Sequence, residues 1–137
     1  MEIRFTLDEI DAVAAKIAPE LKHRIVRMEG AMGAGKTTLI QALGRQLNLI
    51  DSVTSPTFSV VNTYLNKDQE IFYHFDFYRI ESENETLDFG VEEYFDSGCW
   101  CFLEWSERIA KLLPDQYSTV TIEVLNEKTR YLQLSNS

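Results

Sequence analysis

Positive charge is what this sequence is short of: 13 lysines and arginines stand against 22 aspartates and glutamates, for a formal net charge of −9. That is the wrong sign for a protein that grips a phosphate backbone by counterion release. Direct nucleic-acid binding is therefore disfavoured, whereas a basic partner protein is not. Long apolar runs are missing too, since no stretch approaches the roughly 18 uninterrupted apolar residues of a membrane span. The opening residues, MEIRFTLDEI, lack the basic flank, apolar core and small-residue cleavage site of a secretory signal, which predicts a cytoplasmic protein with no membrane association. Cysteine is limited to Cys99 and Cys101. A metal site needs more ligands than two thiols; two apart in an apolar run, they read as reduced, buried side chains on one face of a strand. Internal repeats and low-complexity segments are also absent.

What remains is an ordinary globular composition, 137 residues with 45% hydrophobic side chains, enough for one core and predicting one domain over 1–137. Thr6 opens TLDE, a capping-box pattern followed by apolar residues at helical spacing from Ile10 to Leu21. RIVRM then reads as a strand running into GAMGAGKTT, Gly30 to Thr38, and helical spacing resumes through Leu39, Ile40, Leu43 and Leu47. Two β-rich runs, SPTFSVVNTYL and EIFYHFDFY, are joined by a turn-like NKDQ and predict a strand pair. After a loop and short helix, CWCFLEW reads as a central buried strand, SERIAKLLP as a short helix, and STVTIEVL with RYLQLS as an antiparallel hairpin at a sheet edge. The predicted fold is α/β and P-loop NTPase-like: a mostly parallel central sheet with antiparallel edge strands and flanking helices.

Gly30 to Thr37 fits G-x-x-x-x-G-K-[ST] between a strand and a helix, the order a phosphate-binding loop requires. A chance match in a chain this long should occur in under ~1% of cases. Glycines let the backbone turn tightly so that successive N–H groups, including those of Ala31, Met32 and Ala34, converge on phosphate oxygens. Lys36 supplies a point charge for the β- and γ-phosphates, Thr37 a hydroxyl for a Mg²⁺ shell, and Thr38 an N–H cap or an α-phosphate contact. Such a loop alone transfers nothing, so acids are needed elsewhere. Asp76 in HFDFYR and Glu104 in FLEW end apolar runs that would emerge at the carboxyl edge of a parallel sheet, beside the loop.

These residues leave three functions open: an ATPase working with a partner, a small-molecule kinase, and a nucleotide-sensing module. The arginines, at positions 4, 24, 27, 45, 79, 108 and 130, are scattered rather than gathered on a kinase lid. NKDQ imitates the guanine-reading N-K-x-D, but its acid comes one position early and the segment precedes the acidic strand, so it reads as a turn.

Taken together and in order, GAMGAGKTT, SPTFSVVNTY, HFDFYRI and FLEWSER resemble the TsaE family, also called YjeE, of bacterial P-loop ATPases, over about Arg24 to Arg108. The resemblance implies a part in making N6-threonylcarbamoyladenosine at position 37 of tRNA. The family member joins a TsaD–TsaB pair, hydrolyses ATP to ADP with Mg²⁺ to reset or activate that pair between turnovers, and leaves tRNA to be held mainly by it. It also implies nucleotide contacts from Gly30, Gly33, Gly35, Lys36, Thr37 and Thr38, Mg²⁺ ligation by Thr37 and Glu104, and a Walker B-like acid at Asp76 that joins them at the metal, with either acid able to polarise the attacking water directly or through the metal. Ser55 and Thr57, flanking Pro56, match a switch-like loop that senses the γ-phosphate; Arg79 matches an arginine facing phosphates or a partner, and Trp105 follows Glu104 as in the family. By their residue types alone, Trp105 fits core packing equally well, Phe77 and Tyr78 read as core, His74 as a hydrogen-bonded structural histidine, and Ser55 and Thr57 as turn formers. The chain departs from the family at Ala31 and Met32, where Asp and Leu are expected, and at Ser106, where a proline is common and whose loss would loosen the turn leaving the strand.

Overall fold

The computed structural model describes residues 1–50, 53, 60–88 and 90–137. Ser55 and Thr57 lie outside the described residues.

The chain begins with a strand that the sequence reading passed over. β1 (Glu2–Thr6) alternates inward Ile3 and Phe5 with outward Glu2 and Arg4, a period-2 pattern overshadowed by the helix signal that starts at Thr6. That helix signal is sound: Glu9 reaches back to accept the Thr6 N–H at 2.9 Å, closing the capping box over a 3-10 turn (Leu7–Glu9) that leads into α1 (Ile10–Ile17). β2 (Ile25–Glu29) feeds the glycine loop and α2 (Lys36–Gln46) follows it. β3 (Val61–Leu65) and β4 (Ile71–Asp76) pair antiparallel as expected. Between them Asn66 accepts the N–H groups of Asp68 and Glu70 with its own side chain, so NKDQ is a turn. Two short helices, α3 (Glu83–Asp88) and α4 (Val91–Asp96), precede β5 (Trp100–Glu104); a 3-10 segment (Ser106–Leu112) and the hairpin of β6 (Ser118–Val124) and β7 (Thr129–Asn136) complete the chain.

These strands form one sheet in the order β1-β7-β6-β2-β5-β4-β3. Strands β6, β2, β5 and β4 run parallel in the middle, and β1, β7 and β3 are antiparallel to their neighbours. The terminal hairpin is therefore not at the edge as expected, because β1 adds to the open side of β7. Two apolar clusters cover the two faces. On one, α1 and α2 pack over Val26, Met28, Phe102, Val120 and Leu132; on the other, Val91 of α4 and Ile109 meet Phe75, Phe77, Cys101 and Leu103. Phe77 is core, as expected. The cysteines are not equivalent: β5 starts at Trp100, leaving half-buried Cys99 in the preceding turn, while burial pushes the Cys101 thiol up to about 12. Among the described residues no helix is long and apolar enough to cross a membrane.

Candidate active site

The carboxyl ends of β2, β5 and β4 lie side by side. Met28 of β2 is in register with Glu104 of β5, and Glu104 with Asp76 of β4, so the two acids predicted to share the loop's edge are direct neighbours. A cleft of about 320 Å³ opens there, lined by Gly33, Gly35, Lys36, Thr37, Asp76 and Glu104 among others.

The loop leaves β2 at Gly30 with φ of 152°, where a Cβ would stand 2.6 Å from the Ile122 carbonyl oxygen of β6; only glycine fits. It turns back at Ala34, whose N–H donates to the Ala31 carbonyl at 3.1 Å, and enters α2 through Gly35 in the left-handed region with φ of 108°. The first-turn N–H groups of α2 have no carbonyl one turn back, and the first turn holds no acid of its own, so the positive end of the helix faces the cleft. Ala31 and Met32 form the exposed crest of the loop, Met32 at 66% exposure. Thr38 is exposed beside the cleft.

Lys36 is only 5% exposed. Its Nζ donates to the Gly30 carbonyl at 2.8 Å and sits 3.7 Å from the centroid of the Trp105 ring. Burial holds its ammonium below the ordinary lysine range, opposed by the carboxylates of Glu104, Glu107 and Asp76. Trp105 itself has φ of 60°, a conformation rare for a non-glycine residue, which turns its ring back over Lys36 and against Tyr78 at 4.9 Å between centroids. Tyr78 is not core as expected: it is 43% exposed, because the chain leaves β4 at Asp76 with Phe77 inward and Tyr78 outward. With Met32, Asp76, Arg79 and Trp105 it lines a smaller cavity of about 130 Å³.

Glu104 is 4% exposed and touches two partners. The Thr37 hydroxyl lies 3.1 Å from its Oε1 and 2.9 Å from its Oε2, and His74 Nε2 lies 2.6 Å from Oε2. Asp76 accepts the N–H of Tyr78 at 2.9 Å and is only partly covered. A hydroxyl and two carboxylates converging beside a phosphate-type loop are hard oxygen donors, the set that suits Mg²⁺ rather than a thiophilic metal.

Ser106, after Trp105, is buried, and its hydroxyl accepts Arg27 Nε from β2 at 2.8 Å, which tethers the start of the 3-10 segment to β2. Two contributors escaped the sequence reading altogether. Arg130 of β7, 7% exposed, donates through Nε to the Ala34 carbonyl at 3.1 Å and through Nη1 to the carbonyls of Asn126, Glu127 and Thr129. Leu7 lines the phosphate-loop cleft and also a second one of about 430 Å³ walled by Thr6, Asp8, Glu127 and Lys128. The capping box marked Leu7 as local structure, and nothing local marks Arg130.

The sequence model of the family described as "Threonylcarbamoyl adenosine biosynthesis protein TsaE" matches residues 5–132. Among curated proteins, the chain is 35% identical over 124 residues to the tRNA threonylcarbamoyladenosine biosynthesis protein TsaE of Bacillus subtilis, covering 90% of this chain and 77% of that one. It is 32% identical over 111 residues to the protein of the same name from Treponema pallidum, covering 81% of each. Among solved structures, that titled "Crystal structure of Bacillus subtilus YdiB" superposes with a TM-score of 0.76 at 25% identity, over 99% of this chain and 84% of the other.

Proposed function

The chain belongs to the TsaE family, and from that premise we propose that it binds Mg²⁺-ATP in the cleft and hydrolyses it in support of threonylcarbamoyladenosine formation on tRNA, acting with a TsaD–TsaB pair. The observation that carries the reading is the bond between the Thr37 hydroxyl and the Glu104 carboxylate across the mouth of the glycine loop, with Asp76 in register beside it. Loop N–H groups and Lys36 bind the β- and γ-phosphates; Thr37 and Glu104 hold the cation; Asp76, the less covered of the two acids, orients the attacking water. Bound Mg²⁺ supplies neutralisation of charge on the phosphate oxygens. Base and ribose occupy the second cleft, which shares Leu7 as a wall with the first. ADP leaves from the same place, and tRNA is met through the partners.

The test is phosphate release from Mg²⁺-ATP by the purified chain, with and without the cognate TsaD–TsaB pair. Slow release alone, stimulation or multiple-turnover tRNA modification with the pair, and loss of both in Lys36→Ala and Glu104→Ala are expected. Indifference to the pair together with full activity of Lys36→Ala would sink the reading.

A further inference from the structure

His74 is fully buried on β4, and the proposed hydrolysis does not use it. It stands opposite Phe102 of β5, so Glu104, two residues further along β5, is its diagonal neighbour. The imidazole spans that diagonal, with Nε2 2.6 Å from Glu104 Oε2. A carboxylate accepts, so Nε2 carries the proton in this bond, and the donor is present in both the neutral and the charged ring.

The carboxylate's other partner does not fix its rotation. Thr37 Oγ1 is 3.1 Å from Oε1 and 2.9 Å from Oε2, nearly equidistant, so its hydroxyl is indifferent to which oxygen it holds. His74 reaches only Oε2 and breaks that symmetry. We propose that His74 is a positioning residue: its Nε2–H pins Oε2 of Glu104 and thereby dedicates Oε1 to the divalent cation. This rests on the reading of Thr37 and Glu104 as cation ligands. Partners that orient a liganding carboxylate from behind typically change metal affinity by roughly 10- to 100-fold when removed. Glutamine can place an N–H near the position of Nε2, whereas leucine fills the space without a donor.

The experiment measures Mn²⁺ binding in the presence of ADP, by the electron paramagnetic resonance of free Mn²⁺, for the intact chain, His74→Leu and His74→Gln. ADP affinity in EDTA is measured alongside. The expected result is Mn²⁺ affinity down by roughly 10- to 100-fold in His74→Leu, largely recovered in His74→Gln, with the affinity for metal-free ADP unchanged in both. If the leucine variant is recovered unfolded, His74→Asn, whose amide stops short of Oε2, takes its place with the same expected loss. Undiminished Mn²⁺ binding without the donor overturns the proposal, as does an equal loss in the glutamine variant or a matching loss of metal-free ADP binding. Should the unaltered chain bind ADP but no Mn²⁺, the cation reading of Thr37 and Glu104 falls, and this proposal falls with it.

Discussion

Lys36 enters the fold at a disadvantage, since the Gly30 carbonyl and the Trp105 ring replace only part of the hydration lost on burial, and its ammonium titrates below the usual lysine range. Between that lowered value and the unfolded value of 10.5, the unfolded chain binds more protons than the folded one, so this residue makes the free protein more stable as pH rises through that window. A polyphosphate reverses the balance, because a dense anion beside Nζ favours the charged form. On the alkaline side, above the last phosphate ionisation, nucleotide binding should draw a proton onto Lys36. Affinity should then fall as pH rises through the lowered value. Calorimetry of ADP binding in two buffers of different ionisation enthalpy reads this uptake directly, and Lys36→Met should abolish it. Equal apparent enthalpies in both buffers would mean that Lys36 is already fully charged in the free protein.

At the scale of elements, the terminal hairpin is tied to the glycine loop of the proposed nucleotide site. Arg130 is a buried cation that donates to backbone carbonyls, one on the glycine loop and three around the β6–β7 turn, which walls the second cleft. Arg130→Met removes donors from all of these, and hydrogen bonds to a charged group contribute about 1.5–3 kcal/mol each, so chemical denaturation should show a loss of at least about 2 kcal/mol. ADP affinity should drop as well, because the loop and the turn are no longer held to each other; an unchanged affinity in a destabilised variant would confine Arg130 to holding the fold. This link also marks the limit of what the sequence disclosed. The glycine loop, the acids ending β4 and β5 and the β3–β4 and β6–β7 pairs were legible because each rests on spacing within a few residues. Arg130 and Ala34 meet across 96 positions, with no local pattern in either. The Ser106 tether to Arg27 is equally non-local. β1 was in principle readable from its alternation, but five residues ahead of a strong capping box read as the lead-in to a helix.

For the whole molecule, the charge balance favours the proposed reading in which tRNA is met through partners. Of the thirteen basic side chains, Arg24, Arg27 and Arg45 are engaged with Glu70, Glu29 and Asp11, while Lys36 and Arg130 are buried. Against the basic side chains stand twenty-two acids, of which Glu104 alone is buried among the described residues. Between Glu81 and Asp96 the sequence places seven acids, Glu81, Glu83, Glu85, Asp88, Glu92, Glu93 and Asp96, and no base. Binding to a phosphate backbone draws on lysines and arginines that release counterions, and here like-charge repulsion opposes approach from most directions. At physiological ionic strength, where the Debye length is about 8 Å, the isolated chain should therefore fail to retain tRNA on a filter, with or without ATP. Adding the TsaD–TsaB pair should produce retention whose salt dependence is that of the pair alone. Binding by the isolated chain that weakens linearly on a log–log plot against salt would show a basic track that the charge distribution does not provide, and would move tRNA from an indirect contact to a direct one.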